Sequence, residues 1–300
     1  MTRRGITLFV AMGAIWGLPY LLIKVAVRDL EPATLVFCRT GIGAVILVPV
    51  ALARGELAPL VRRWKPLVAY TVVEIGVPWV LLSTAEQRLP SSLSGLLVAA
   101  VPLVGAVLSV GLRDREHLGS LGVAGLLVGF AGVAALVGLD VGRADIGSVA
   151  IVGVVVVGYA AGPLILARSL GDLPGLGVVA ASLLLCALGY APFALTHLPP
   201  TVPSARVIAA VVTLGVICTA LAFVLFFNLI GEIGPVRATV ITYVNPAVAV
   251  VLGVAFLHET FGAGTALGFV LILCGSFLAT RRVSRARGTP PAPAPAIAEP

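Results

Sequence analysis

The stretch VITYVNPAVAVVLGVAFLHET, residues 240–260, is almost entirely apolar but carries Asn245 and Pro246 in its interior. It then ends abruptly at two polar residues, His258 and Glu259. A core helix of a soluble protein rarely contains a proline, because proline removes a backbone hydrogen bond. A simple membrane anchor has no need for an asparagine, because an unpartnered polar group in hydrocarbon is costly. The stretch therefore indicates a membrane helix with a more specific task than anchoring.

A similar stretch, LLVAAVPLVGAVLSVGLRDRE, occupies residues 96–116. Pro102 corresponds to Pro246, and Glu116 corresponds to Glu259 after an adjustment of one residue. Glycines follow both glutamates at matching distances. The chain therefore consists of two similar halves. With five spans in each half, the second half must enter the membrane from the opposite face. Such inverted repeats recur in secondary transporters, whose substrate site lies between the halves near the middle of the bilayer.

The composition of the chain indicates a membrane protein throughout. Of the 300 residues, 59% are apolar and 11% are charged, whereas a soluble domain has about 45–50% and about 25%. The apolar runs are continuous and reach the length of about 20 residues that a helix needs to cross a bilayer. We predict an all-α membrane protein with ten transmembrane helices, arranged as two inverted five-helix repeats. The net charge of +7 does not indicate nucleic-acid binding, because the basic residues lie between the apolar runs.

The ten predicted spans are separated by short connections that carry turn residues and charges. Their approximate ranges are 6–23, 33–53, 66–85, 91–112, 118–139, 146–167, 174–195, 205–230, 235–257 and 262–280. The predicted first repeat comprises residues 1–142, the second comprises residues 143–282, and a disordered cytoplasmic tail comprises residues 283–300. The tail is predicted to be disordered because it is rich in proline and alanine and has no core to join.

The basic residues predict the orientation of the chain in the membrane. Of the 20 Lys and Arg residues, fourteen lie on one predicted side, five lie on the other, and Arg39 lies within a span. Basic residues accumulate in cytoplasmic loops. We therefore expect a multi-pass protein of the bacterial cell inner membrane with both termini in the cytoplasm.

Three segments carry a resemblance to a known family. WGLPYLLIK at 16–24, FCRTGIGAVIL at 37–47 and the long run from TLGVICTALAF to FLHET at 213–260 resemble the drug/metabolite transporter superfamily, in its EamA-type branch. The resemblance covers about residues 6–280 and extends to exporters of amino acids and related metabolites. It implies a ten-helix transporter. Substrates vary widely within this family, so the resemblance does not imply a particular substrate.

Five Trp and Tyr residues stand out inside predicted spans, because membrane proteins concentrate these two residue types at the ends of spans. They are Trp16, Tyr20, Trp79, Tyr159 and Tyr243, with Asn245 close to the last. Aromatic walls with a few polar groups suit an organic solute that has an apolar body and a polar head. We predict that these residues bind substrate. Trp79 fits least well by helix face, and packing of the aromatics against lipid or other helices is the alternative.

Two charged residues are candidates for the same site. Glu74 lies deep inside a span, where a carboxylate is costly and marks a pathway, a proton relay or an ion pair. A purely structural acid is the alternative. Arg39 has three candidate roles: pairing with Glu74, contact with a substrate carboxylate, or extension to the membrane surface.

Five prolines inside the predicted spans are candidate hinges, because proline removes a backbone hydrogen bond and weakens a helix. They are Pro19, Pro78, Pro102, Pro163 and Pro246. Membrane helices also tolerate proline without any such role.

The sequence shows no nucleotide-binding motif, no catalytic motif and no metal-ligand spacing, so we predict neither an enzyme nor a cofactor nor a metal site. We expect a secondary transporter that exports small amphipathic metabolites by alternating access, with amino acids as the first candidate. An exporter of toxic organic compounds is the alternative within transport, and a non-transporting membrane scaffold is the alternative outside it. The predicted partners are a small-molecule substrate and the lipid bilayer, without nucleic acid. Protons as a coupling ion, and a monomeric or homodimeric state, stay open.

Overall fold

The structure, a computed structural model, describes residues 2–111, 120–140, 146–234 and 238–280. All regular secondary structure in these ranges is helical. Eight of the helices are long and apolar enough to cross a membrane, and two shorter apolar helices follow them. The prediction of an all-α membrane protein with ten helices in two repeats is confirmed. The predicted tail and the predicted boundary at residue 142 lie outside the described residues.

We number the ten helices α1 to α10 in chain order. The first half contains α1 (Arg3–Ala26), α2 (Pro32–Ala53), α3 (Ala58–Glu86), α4 (Ser91–Val98 and Val101–Gly111) and α5 (Ser120–Asp140). The second half contains α6 (Ile146–Leu170), α7 (Gly175–Thr196), α8 (Ala205–Ile233), α9 (Thr239–Tyr243 and Asn245–Leu257) and α10 (Ala263–Thr280).

The structure of helix α9 accounts for Pro246, Asn245 and His258 in its sequence. It begins as a short 3₁₀ segment, and Pro246 lies in the first turn of the α-helix that follows, where its missing N–H would have no helical partner. With its amide oriented to satisfy its neighbours, Asn245 donates to the carbonyl oxygens of Gly13 at 3.3 Å and Ile241 at 3.0 Å. The helix ends at His258, whose φ of 55° is left-handed and terminates it.

The two halves interlock through matching pairs of helices. Helix α2 packs on α7, and α5 packs on α10. Helix α1 packs on α8 and α9 of the other half, and its counterpart α6 packs on α3 and α4. The first helix of each half is therefore held by the third and fourth helices of the other. The region where α1, α3, α6 and α8 meet contains side chains from both halves.

Glycines bring α5 and α10 unusually close together. A Cβ atom added at Gly132 would lie 2.7 Å from the backbone nitrogen of Ile272, and one added at Gly268 would lie 2.9 Å from Cβ of Leu136. Such spacing of small residues lets two membrane helices approach backbone to backbone. Glycines therefore line the contact between these two helices.

The outer surface of the bundle is apolar. Val45, Leu127 and Phe256 are large apolar residues that expose 76%, 68% and 67% of their surface. In water such exposure would be unfavourable, whereas in a bilayer these side chains face lipid. The chain is a multi-pass membrane protein.

Candidate substrate site between the halves

Arg39 of α2 is buried where the two halves meet, with 8% of its surface exposed. Its Nε donates a hydrogen bond of 2.9 Å to Oγ1 of Thr219 on α8. Its guanidinium carbon lies 3.7 Å from the ring centroid of Trp79 on α3. A cation–π contact shielded from water contributes about 2 kcal/mol. The Arg39 side chain therefore links the first half to the second.

Two of the three predicted roles of Arg39 are wrong for this conformation. Among the described residues, no ion pair joins Arg39 to Glu74. The side chain is also buried, so it does not extend to the membrane surface. The physical reason is that Trp79 and Thr219 offer the guanidinium group a nearer aromatic face and a nearer acceptor. Contact with a substrate carboxylate is the role that stays as a prediction.

Two tyrosines lie close to these residues. Tyr20 of α1 and Tyr159 of α6 pack in one buried hydrophobic cluster, and both interact electrostatically with Arg39. Tyr159 also packs against the buried hydrophobic cluster that contains Trp79. We call Tyr20, Arg39, Trp79 and Tyr159 the central cluster. It draws on α1, α2, α3 and α6, and all four of its residues were predicted from the sequence as substrate-binding residues.

The position of Trp79 follows from a π-helical turn in α3, Thr71–Gly76, which lies just before it. Helix α8 has a matching π-helical turn, Val216–Leu221. Each residue added to a helical turn rotates the residues that follow by about 100° around the axis. A regular helical period therefore predicts Trp79 on a different face of α3 from Glu74. In the structure, Trp79 contacts Arg39.

Glu74 lies beside the central cluster, in the π-helical turn of α3 and against α6. A Cβ atom added at Gly162 of α6 would lie 2.8 Å from Cβ of Glu74, so the glycine makes room for this side chain. The Oε2 atom of Glu74 is buried without a hydrogen-bond partner among the described residues. Glu74 interacts electrostatically with Tyr159. In the matching turn of α8, the fourth residue is Thr219, which is the acceptor for Arg39.

Glu86, the last residue of α3, is an acid that the sequence did not single out. It is fully buried, and neither of its carboxylate oxygens has a hydrogen-bond partner among the described residues. Lys24, Glu259 and Arg39 interact with it electrostatically. The predicted span ended at residue 85, which left Glu86 in a surface turn. The residue before a proline is biased away from helix, and the next proline after Pro78 is Pro90, so the sequence allowed α3 to extend beyond residue 85.

The remaining predicted site residues lie near other helices. Trp16 packs against Phe226 and Phe223 of α8, with ring centroids 4.7 and 5.9 Å apart. Tyr243 is half-buried in the 3₁₀ segment of α9. Asn245 binds α9 to α1 through the carbonyl of Gly13. Phe223 also packs against the buried cluster that contains Trp79, so it lies between Trp16 and the central cluster.

The five candidate hinge prolines are of two kinds. Pro102 and Pro246 lie just after the interruptions in α4 and α9, and Pro78 follows the π-helical turn of α3. Pro19 and Pro163 lie inside continuous α-helix. The first three therefore coincide with irregular backbone, and a hinge role for any of the five stays a prediction.

The turn between α3 and α4 is held at its first end by Lys24 of α1. The Nζ atom of Lys24 donates to the carbonyl oxygens of Glu86 at 2.6 Å and Leu89 at 2.8 Å. These carbonyl groups lie at the C-terminal end of α3, where the helix dipole favours a positive charge. Lys24 therefore fixes the backbone that carries Glu86.

The same turn is held at its second end by Glu259 from the other half. The Glu259 carboxylate accepts hydrogen bonds from the backbone N–H groups of Ser91 at 2.7 Å and Ser92 at 2.9 Å, at the N-terminal end of α4. Glu259 therefore caps α4 from the other half. A pocket of about 190 Å³ beside this turn is lined by Lys24, Arg28, Arg88, Pro90, Leu257 and Glu259. In the parts of the chain that the structure describes, no group of acidic, His or Cys side chains is placed to hold a metal ion.

Known proteins share this two-part architecture. The chain matches the EamA-like transporter family twice, over residues 3–138 and again over residues 146–281, once in each half. The chain belongs to the EamA-like transporter family. The resemblance seen in the sequence is therefore confirmed, and the protein is a membrane transporter of the drug/metabolite type.

Relatives of this EamA-like protein occur in distant organisms. The uncharacterized transporter YvbV of Bacillus subtilis is 26% identical over 268 residues, which are 86% of this chain and 85% of that one. The uncharacterized inner membrane transporter YedA of Escherichia coli K12 is 27% identical over 283 residues, 89% of this chain and 90% of that one. A protein of known crystal structure shares the fold with a TM-score of 0.67 at 23% identity, over 92% of this chain and 96% of that one. The relatives' names support transport rather than catalysis.

Proposed function

We propose that this EamA-like protein is a secondary transporter that exports small amphipathic metabolites, amino acids first, by alternating access between its halves. The observation that carries the proposal is Arg39, which is buried at the boundary between the halves. Its Nε is bonded to Thr219, and its terminal N–H groups make no hydrogen bond to a described residue. A guanidinium group with free terminal N–H groups is suited to bind a carboxylate through two parallel hydrogen bonds.

The other three residues of the central cluster fit a substrate with an apolar body. Tyr20, Trp79 and Tyr159 are aromatic residues that each carry a polar N–H or O–H group, and the Trp79 ring lies against Arg39. Ligand sites for small organic molecules combine apolar walls with a few placed polar groups in this way. A carboxylate next to an apolar side chain is the simplest solute that matches both features.

Alternating access requires a site that both halves build and that can open on either side. The Arg39–Thr219 bond crosses from α2 to α8, and Tyr159 reaches the cluster from α6. A rocking motion of one half against the other would therefore rearrange the partners of Arg39. The interruptions before Pro102 and Pro246 provide helix segments that can reorient during such a motion.

The proposal is tested with purified protein in proteoliposomes and a panel of radiolabelled amino acids. Liposomes preloaded with an unlabelled amino acid should accumulate the labelled one by counterflow, and protein-free liposomes should not. Uptake of toxic organic cations without any amino-acid uptake would favour the exporter of toxic compounds instead. A protein that moves no solute in either set would be a scaffold.

The same proposal places the protein in a bacterial inner membrane with both termini in the cytoplasm. The distribution of basic residues supports this orientation. The relative YedA is named an inner membrane transporter.

Coupling to protons would involve Glu74, whose Oε2 atom is buried without a partner. A carboxylate inside a membrane bundle is a candidate proton carrier. Counterflow and gradient-driven flux are measured in the same liposomes for the wild type and Glu74→Gln. Coupling through Glu74 predicts that the variant keeps counterflow and loses the response to a pH gradient. An unchanged response removes Glu74 from the mechanism.

A further inference from the structure

Glu86 is the last residue of α3 and interacts electrostatically with three charged side chains, Lys24, Glu259 and Arg39. It is fully buried, and both of its carboxylate oxygens lack a hydrogen-bond partner among the described residues. Buried polar groups are nearly always hydrogen-bonded, so each exception calls for an explanation. Inside a membrane, an ionisable side chain of this kind marks a binding site or an ion pathway. Lys24 lies beside Glu86, but no described residue donates a hydrogen bond to the Glu86 carboxylate.

The neighbouring charged side chains are engaged with the backbone. Lys24 donates to the carbonyl oxygens of Glu86 and Leu89. Glu259 accepts from the N–H groups of Ser91 and Ser92. Both side chains act on the turn that follows Glu86. Their contacts fix the position of Glu86 and do not supply a hydrogen bond to its carboxylate.

Arg39 carries the opposite charge, and its terminal N–H groups lack an acceptor among the described residues. Arg39 and Glu86 interact electrostatically with each other. Tyr20 and Tyr159 each interact electrostatically with both of them. Arg39 and Glu86 are therefore opposite charges within electrostatic reach of each other and of both tyrosines, and neither has an ion-pair partner among the described residues.

We propose that Glu86 binds the ammonium group of a zwitterionic amino acid whose carboxylate is bound by Arg39. This inference rests on the proposed function and narrows its substrate class to solutes that carry both charged groups. A zwitterion supplies both missing counter-charges at once and adds no net charge to a desolvated interior. The opening of one side during alternating access then admits the solute.

The arrangement predicts strong discrimination against acids that lack the amino group. Such an acid satisfies Arg39 but leaves Glu86 buried and unpaired. A site built to bond a polar group of its substrate rejects analogues without that group far more strongly than it rejects a missing methylene. Glu86 is then the residue that separates amino acids from simple carboxylic acids.

The test uses two matched pairs of solutes in proteoliposomes: leucine with 4-methylpentanoate, and phenylalanine with 3-phenylpropanoate. Competition with labelled amino-acid counterflow gives the preference of each variant for the amino acid over its deaminated analogue. The wild type should prefer the amino acid by about tenfold or more. Glu86→Gln should lose most of this preference. Glu31→Gln, which removes an exposed acid at the start of α2, should keep it.

Each outcome decides a different claim. If the wild type transports neither leucine nor phenylalanine, the proposed function fails and this inference fails with it. If it transports them and Glu86→Gln keeps the full preference, only the role of Glu86 is wrong. A variant that keeps the preference but loses a response to a pH gradient would make Glu86 a proton carrier instead. If Glu86→Gln does not fold, Glu86→Asp decides, because equal losses for both members of each pair would overturn the inference.

Discussion

Gly162 of α6 lies directly against the side chain of Glu74 on α3. A Cβ atom added at Gly162 would lie 2.8 Å from both Cβ and Cδ of Glu74, closer than non-bonded carbon atoms approach. Because Gly162 has no side chain, the Glu74 side chain of the first half fits into the interface with the second half. The contact places a conformational constraint on the acid that is the candidate for proton coupling.

Gly162→Ala should destabilise the bundle by about 1–3 kcal/mol, because an extra methyl group in a filled interface forces side chains or backbone to move. The control is Gly153→Ala on the same helix, since a Cβ at Gly153 has no atom within 4 Å. There the change should be neutral or stabilising, because alanine favours helix more than glycine does. Midpoints of thermal unfolding in detergent compare the two. Equal midpoints would mean that Glu74 moves away without strain.

Arg39→Lys should reduce amino-acid counterflow by about tenfold or more, although it keeps the positive charge. Lysine lacks the planar fork that stacks on Trp79, bonds Thr219 and leaves N–H groups for a carboxylate. Trp79→Phe should have a smaller effect, because it keeps an aromatic face. Arg206→Lys, at an exposed position, is the control. Wild-type rates in Arg39→Lys would show that only its charge matters.

Gly132→Ala should separate α5 from α10, because the new Cβ would lie 2.7 Å from a backbone nitrogen of Ile272 that cannot move independently. We expect a loss of about 1–3 kcal/mol and a lower folded yield. Gly138→Ala on the same helix is the matched control, since a Cβ there meets nothing within 4 Å. The yield of monodisperse protein after size-exclusion chromatography reports the difference. An equal yield and stability for both variants would contradict the close approach of these helices.

Glu259→Ala should cost about 1–2 kcal/mol, because it removes the acceptor for the N–H groups of Ser91 and Ser92 at the start of α4. Glu31→Ala is the control, because Glu31 stands before α2 without a capping hydrogen bond from its side chain. Hydrogen exchange at the first turn of α4 should accelerate in Glu259→Ala alone. Unchanged protection there would mean that the cap is dispensable.

An alkaline phosphatase fused after Arg287 should be inactive, because the basic residues predict a cytoplasmic C-terminus. A fusion in the connection between α1 and α2 is the control and should be active. Strong activity of the C-terminal fusion would overturn both the orientation and the even number of spans.

The sequence predicted most residues of the candidate site but not the contacts between their side chains. Tyr20, Arg39, Trp79 and Tyr159 were all predicted, because polar and aromatic residues inside apolar runs are visible without a structure. The expected pairing of Arg39 with Glu74 did not form. A π-helical turn in α3 changes which residues share a face, and a regular period of 3.6 residues cannot include that change.

By itself the sequence determined that this chain is a helical membrane protein built from two repeats. Span length, apolar composition and the recurrence of a motif are properties along the chain, so they need no knowledge of contacts. Only the tertiary structure decided that Glu86 is buried and that Arg39 contacts Trp79 and Thr219. Those contacts join helices from different parts of the chain. Their geometry depends on how two halves pack, and that packing is decided by many side chains at once.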